Sequence, residues 1–201
     1  MTELCPVSVG QKVPDFTMET YEPETGAFGK VSLAQVMERK RWVVLVFYPA
    51  NFTFVCPTEL ADLAERQAEL KELGCEVVSV STDTKYAHYS WRYQEKLLEQ
   101  VNYIMAADPT GAVAKLFGIY DFQSGLALRG TFIINPEGML VSSEIHYYSV
   151  GRDANELMRK IRGFQYVYAH PDEVCPAKWQ PGQRTLTPGQ KLIGKVHEGL
   201  R

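Results

Sequence analysis

The sequence predicts an α/β fold in which a mixed central β-sheet is flanked by helices and followed by a C-terminal arm, and three observations carry that prediction. First, Val43–Tyr48 after Trp42 is an unbroken apolar run, mostly β-branched and aromatic, the composition of a strand buried on both faces. Second, a segment with mostly helical apolar spacing begins at Cys56-Pro57 and a second apolar run, Cys75–Val80, follows it. Residues 42–80 therefore form a strand, helix, strand unit whose crossover is expected to be parallel and right-handed. Third, residues 169–201 hold four of the eleven prolines and little periodicity, which suits an arm rather than core. The expected division is a domain over 1–168 and an arm over 169–201.

In chain order, Val7–Phe16 and the Gly/Pro-containing stretch through Gly29 read as loops and short edge strands. A short helix is expected near Ala34–Arg39, then the strand after Trp42, which Pro49 ends. The loop Ala50–Val55 leads to Cys56-Pro57, with proline suited to a first helical turn. Leu60, Leu63, Ala64, Leu70 and Leu73 continue that helix to near Gly74. Thr82-Asp83-Thr84 is a capping cluster for a helix carrying Tyr86, Tyr89, Trp91, Tyr93 and Leu97. Asp108–Gly111 is a turn before a short helix, Ala112–Phe117. Thr131–Ile134 and Met139–His146 flank a turn and read as a hairpin, and Asp153–Tyr168 is the final long helix. This order matches a thioredoxin-like layout.

Composition removes several function classes. With 201 residues, a net charge of −3 and no basic run, the chain is large enough for an ordinary core and a poor partner for nucleic acid. Neither a leader nor an apolar run of membrane-spanning length is visible, so a cytoplasmic protein is expected, with no membrane partner. Cysteines at 5, 56, 75 and 175 are too sparse and irregular for a disulfide framework. Cys5 reads as incidental and Cys75 as a small buried hydrophobe.

Cys56 stands out because it lies where a strand hands over to a helix N-terminus, with unpaired N–H groups and the positive end of the helix dipole toward its sulfur. A free thiol with a pKa of about 8.5 is only about 3% thiolate at neutral pH, and a helix N-terminus with a nearby cation can bring the pKa to roughly 3.5–7.5. Full ionisation gains on the order of 2 kcal/mol, so most of the acceleration must come from groups that stabilise charge in the transition state. Thr53, three residues earlier, and a distant arginine are the candidates. Cys56-Pro57-Thr58-Glu59 lacks the second cysteine of a Cys-x-x-Cys pair, so an oxidised Cys56 needs a partner from elsewhere.

Pro49, Thr53 and Cys56 inside FYPANFTFVCPTE resemble the active-site signature of the peroxiredoxins, in particular the typical 2-Cys group that includes the bacterial alkyl hydroperoxide reductase C proteins. The resemblance continues through LRGTFIINPEG (128–138), SVGR (149–152) and EVCPAKWQPG (173–182) and covers nearly the whole chain. It implies a thiol peroxidase that reduces hydrogen peroxide and organic hydroperoxides without a cofactor or metal. Cys56 is then the peroxidatic cysteine, and Cys175, flanked by Pro176 in the arm, is the resolving cysteine supplied by the other copy in a homodimer. Thr53 and the helix amides are expected to donate to the peroxide, Arg129 to supply the remaining donors, and Pro49 to wall the pocket. Glu59 and Arg152 match positions that would orient Arg129, with a plain surface ion pair as the other reading. Decamers of five dimers are common in that group, and the implied reductant is thioredoxin or a dedicated flavoprotein disulfide reductase.

Two departures are visible. The Gly-Gly-Leu-Gly loop and Tyr-Phe C-terminal helix of easily over-oxidised relatives are missing here, where the chain reads YQEKLLEQVNYIM and ends GKVHEGLR; this implies a robust, bacterial-type enzyme. Asn51 stands where an aspartate is common, with no role evident from sequence. Other readings fit less well. His88, His146, His170 and His197 stand in no Cys-His context for a hydrolase, and His170 with Cys175 lacks paired metal-ligand spacing. A holdase chaperone or redox relay is the competing class.

Overall fold

In the computed structural model, residues 5–200 are described. The chain divides into two compact units between Asp153 and Ala154.

The first unit is built on a sheet whose strands are β1 (Thr17–Glu22), β2 (Ala27–Ser32), β3 (Trp42–Phe47), β4 (Cys75–Ser81), β5 (Ile104–Ala107), β8 (Arg129–Ile134) and β9 (Leu140–His146); β6 (Tyr120–Asp121) and β7 (Leu126–Ala127) form a separate two-stranded ribbon. The spatial order in the sheet is β2-β1-β5-β4-β3-β8-β9. β3, β4 and β5 run parallel, while β8 and β1 join antiparallel on either side. Its helices are α1 (Leu33–Glu38), α2 (Cys56–Glu65), α3 (Gln67–Glu72), α4 (Lys85–Gln94) and α5 (Ala112–Leu116).

β3 lies inside this sheet, and every one of its residues is buried. Burying a valine, leucine or phenylalanine side chain is worth about 1.5–3 kcal/mol, so β3 is the rigid support from which the following loop departs. Val43, Leu45 and Phe47 pack in one core with Val36 of α1, Val113 of α5, and Phe132 and Ile134 of β8. Side chains alternate along a strand, which directs Val44 and Val46 to the other face. Tyr48 continues that face, with its ring 5.7 Å from Trp91 of α4.

The expected thioredoxin-like arrangement, a mixed sheet with helices on both faces, is the one observed. Its details depart from the sequence reading in four places. The helix expected to run from Cys56 to near Gly74 is interrupted at Arg66, which caps α2 and precedes α3. β5 has no counterpart in that reading: its IMAA run has little strand propensity, and pairing with β4 and β1 overrides the local preference. The stretch through Gly29 forms the β1–β2 hairpin, with β1 interior and only β2 at an edge. Leu97 falls outside α4, on a following turn of 3-10 helix.

In the second unit, α6 (Ala154–Ala169) leads into a segment with little regular structure. That segment is nonetheless pinned. Val174 and Leu186 exchange backbone hydrogen bonds of 2.8 and 3.0 Å, and Trp179 is 2% exposed, with its ring 4.9 Å from that of Tyr166.

Candidate active site

Cys56 is the first residue of α2, and Pro57 follows it within the first turn. Val55 occupies the capping position without a side-chain hydrogen bond. The Thr58 and Glu59 N–H groups both donate back to the Val55 carbonyl, at 3.1 and 3.2 Å, and Pro57 has no N–H. The amides that this helix start can offer a ligand therefore narrow to those preceding Pro57. The Cys56 side chain is fully buried.

Arg129, first residue of β8, reaches the sulfur: its Nη1 lies 3.4 Å from Sγ. Position at a strand start suggests a solvated side chain, yet Arg129 is 3% exposed. Two further contacts fix its guanidinium. Nε donates to the Tyr148 carbonyl at 2.8 Å, and Nη1 also donates to Glu59 Oε2 at 2.6 Å. At Gly130, an added Cβ would fall 2.7 Å from the Phe132 ring and 2.9 Å from Ile119, so a side chain here would collide with both.

Glu59 sits one helical turn after Cys56 and accepts from two arginines. Arg152 grips it with Nε on Oε1 at 2.8 Å and Nη2 on Oε2 at 3.1 Å, and adds its backbone N–H to Oε1 at 2.9 Å. This is the paired-fork geometry that makes Arg–carboxylate contacts strong. Arg152 Nη1 also donates to Thr131 Oγ1 at 3.0 Å, anchoring the fork to β8. The close approach of Gly151, whose hypothetical Cβ would stand 3.3 Å from Val55 and 3.5 Å from Glu59, brings that backbone to α2. Burial alone pushes the Glu59 carboxyl up, but the Arg152 hydrogen bonds and the two positive charges outweigh it and hold the group below its ordinary range.

Thr53 is half-buried in the loop between β3 and α2, and its hydroxyl donates to the Ala50 carbonyl at 2.8 Å. With its proton on that carbonyl, the hydroxyl has lone pairs to offer. The preceding Phe52 is left-handed at φ 56°, a conformation costing a non-glycine residue on the order of 1–3 kcal/mol. Pro49 is buried at the start of this loop.

The structure thus brings Cys56, Arg129, Glu59 and Arg152 together in the first unit, with Thr53 and Pro49 on the adjoining loop. Cys175 belongs to the second unit. It is half-buried, with Sγ 3.9 Å from the Gly163 carbonyl. Burial raises its pKa, Glu173 adds to the rise and Arg159 opposes it. Cys75 is a buried thiol pushed up to about 12 by burial, and Arg41 only partly offsets this; that agrees with a packing role. Cys5 is exposed. Among the described residues no group of three or more His, Cys, Asp or Glu side chains forms a metal cluster, and no helix is long and apolar enough to cross a membrane.

Sequence reasoning missed Tyr148, which acts through its backbone carbonyl and so leaves no side-chain signature. It also missed Thr131 and His88. A lone histidine inside an aromatic-rich helical segment was the available signal for the last.

Comparisons with known proteins show the family. The AhpC/TSA family model matches residues 9–143, and the model for the C-terminal domain of 1-Cys peroxiredoxin matches residues 163–199. Alkyl hydroperoxide reductase C of Staphylococcus epidermidis is 44% identical over 188 residues, covering 94% of this chain and 98% of that protein. Among solved structures, Enterococcus faecalis AhpC superposes with a TM-score of 0.79 at 43% identity, covering 84% of this chain and 98% of the other. The reduced 2-Cys peroxiredoxin of Plasmodium vivax superposes with a TM-score of 0.87 at 30% identity, covering 92% and 96%. With a buried cysteine opening a helix under a fixed guanidinium, and with relatives matched almost end to end, the chain belongs to the AhpC/TSA family and is a peroxiredoxin-type thiol peroxidase.

Proposed function

We propose that the chain reduces hydrogen peroxide and organic hydroperoxides through a sulfenic acid on Cys56, which Cys175 of a second copy resolves as a disulfide. The observation that carries this reading is the 3.4 Å approach of Arg129 Nη1 to the buried Cys56 sulfur.

In the first step the Cys56 thiolate attacks one peroxide oxygen along the O–O axis. The S–O bond forms as the O–O bond breaks, sulfur loses two electrons, and the departing oxyanion takes up a proton to leave as water or alcohol. Negative charge spreads from sulfur onto the leaving oxygen, and donors fixed before the reaction stabilise that spread without reorganising. Arg129 supplies such donors from a guanidinium held by Tyr148 and Glu59. Glu59 and Arg152 act through Arg129 as positioning residues. Thr53, its proton engaged by Ala50, accepts the hydrogen of the attacked peroxide oxygen and so orients it. Pro49 keeps water from the sulfenic acid.

In the second step the Cys175 thiolate attacks the Cys56 sulfenic sulfur, the disulfide forms and water leaves. Segment 169–201 is the arm that delivers it. A thioredoxin or a flavoprotein disulfide reductase then restores both thiols, and the protein works in the cytoplasm as a homodimer that can assemble further.

The test is peroxide consumption by the purified protein with a thiol regenerating system, read with the Cys56→Ser variant beside it. Turnover that vanishes in the variant supports the reading. A protein that suppresses client aggregation but consumes no peroxide overturns it.

A further inference from the structure

The loop from Pro49 to Val55 carries Thr53 and ends at the cap of α2, so its shape sets where the hydroxyl and the sulfur stand. It includes the left-handed Phe52, a conformation that persists only where the surroundings fix it. The fixing contacts come from beneath. The Asn51 N–H donates to Asp83 Oδ2 at 2.9 Å, and the same oxygen accepts from Ser81 Oγ at 2.7 Å. The Asn51 side chain enters a buried polar cluster with Tyr48 at the end of β3 and His88 of α4, and His88 is fully buried.

One contact of that cluster sets the tautomer of the ring. His88 Nε2 lies 3.0 Å from the Ala106 carbonyl. A carbonyl only accepts, so Nε2 carries the hydrogen, and in the neutral ring Nδ1 is then an acceptor. Asn51 Nδ2 donates to it at 3.1 Å, and Asn51 Oδ1 accepts from the Tyr48 hydroxyl at 2.8 Å. The Tyr48 oxygen stands 3.2 Å and Asn51 Oδ1 3.3 Å from Nδ1; with the ring hydrogen on Nε2, Nδ1 has none to give either oxygen, and Asn51 Nδ2 is the closer group and the donor. Both ends of a carboxamide are needed here. A carboxylate at 51 could only accept, and would leave His88 Nδ1 without the donor that Asn51 Nδ2 supplies.

We propose that His88, acting through Asn51, is a positioning residue for peroxide reduction at Cys56: the neutral imidazole locks the carboxamide, and the carboxamide locks the loop that presents Thr53. The proposal rests on the peroxidase reading above. The groups facing the ring are consistent with a neutral state. Burial, the largest influence, lowers the His88 pKa to about 4, against the opposing effects of Asp83 and the Ala106 carbonyl. Tyr48 is held well above its ordinary pKa, chiefly by burial, and remains a donor.

Two substitutions separate the two sides of the ring. In His88→Gln the longer amide can still donate to the Ala106 carbonyl but gives up the acceptor for Asn51. In His88→Asn the shorter amide keeps an acceptor for Asn51 and gives up Ala106. For each variant, three quantities are measured: single-turnover oxidation of Cys56 by hydrogen peroxide, alkylation of Cys56 by iodoacetamide, and Tm. A reacting geometry displaced by about 1 Å can cost about a hundred-fold in rate. The expected result is a loss of that size with peroxide in His88→Gln at unchanged alkylation rate, and recovery of most of it in His88→Asn. Equal peroxide rates in native protein and His88→Gln overturn the proposal. So do losses in the two variants that merely follow their Tm, and a fall in alkylation parallel to the fall with peroxide. Failure of the peroxidase reading looks different: the native protein alkylates at Cys56 yet consumes no peroxide.

Discussion

Arg129 and Glu59 share a 2.6 Å hydrogen bond with side chains only 4% and 3% exposed. A buried ion pair gives little net stability over an apolar pair, but removing one partner leaves an uncompensated charge and costs about 3–5 kcal/mol. Here Glu59 also serves Arg152, so its loss takes the carboxylate from two cations. Glu59→Gln is therefore expected to destabilise the protein by about 3–5 kcal/mol and to slow peroxide reduction, because the guanidinium loses one of its fixed contacts. Urea unfolding and single-turnover oxidation measure the two effects. A variant as stable and as fast as native protein would show that Arg129 is oriented without Glu59.

The same cluster predicts how acid acts. The folded Glu59 carboxyl is held below its ordinary range, so its contribution is present above the unfolded value of about 4.3 and is lost as pH falls through the folded pKa. His88 acts in a higher window. Its pKa is about 4 in the folded protein and about 6.5 when unfolded, so between these values the unfolded chain binds more protons and stability falls as pH drops from 6.5 toward 4. That shift corresponds to on the order of 3 kcal/mol. Urea midpoints from pH 8 to pH 3 are expected to show the His88 loss first, and His88→Asn should remove it while leaving the loss below about 4.3 in place. A native curve flat between pH 6.5 and 4 would rule out a neutral, buried His88.

Much of this was legible from the chain because the relevant signals are local. The run at 42–48 and the proline after Cys56 locate the strand, the helix start and the thiol between them. What escaped is what depends on distant partners. β5 holds its place through neighbours on both edges. Arg129 is buried because Tyr148 and Glu59 satisfy it, which sequence position alone cannot disclose; only the family resemblance pointed to it. Asn51 had no evident role because its partners, Tyr48, Asp83 and His88, are brought to it by the strand below and by the segment entering α4. The direction of the Thr53 hydroxyl is hidden for a related reason, since the competing acceptor is a backbone carbonyl three residues back.

Thr53 offers a test of acceptor against donor. If its lone pair orients the peroxide, Thr53→Ser should retain most of the rate, while Thr53→Val should lose about a hundred-fold, the scale seen when one polar partner of a transition state is removed. Alkylation of Cys56, which involves no peroxide hydrogen, should change little in either. Equal rates for Thr53→Val and native protein would take Thr53 out of the reaction.

Cys175 leads to a prediction about resolution. In the described conformation its thiol is raised by burial and then by Glu173, with Arg159 in opposition. The attacking species is the thiolate, so this arrangement restrains resolution as well as permitting it. Glu173 has a second role, because its carboxylate accepts from Tyr166 at 2.8 Å and from Thr185, tying the segment to α6. Glu173→Gln weakens the charge effect and that tie together, and is expected to speed disulfide formation several-fold while leaving the first oxidation of Cys56 unchanged. Cys175→Ser should keep the first oxidation, accumulate a dimedone-reactive sulfenic acid, and show no disulfide-linked dimer on a non-reducing gel. A dimer that persists in Cys175→Ser would move the resolving role to another thiol, and disulfide formation slower in Glu173→Gln than in native protein would mean that Glu173 promotes resolution rather than restraining it.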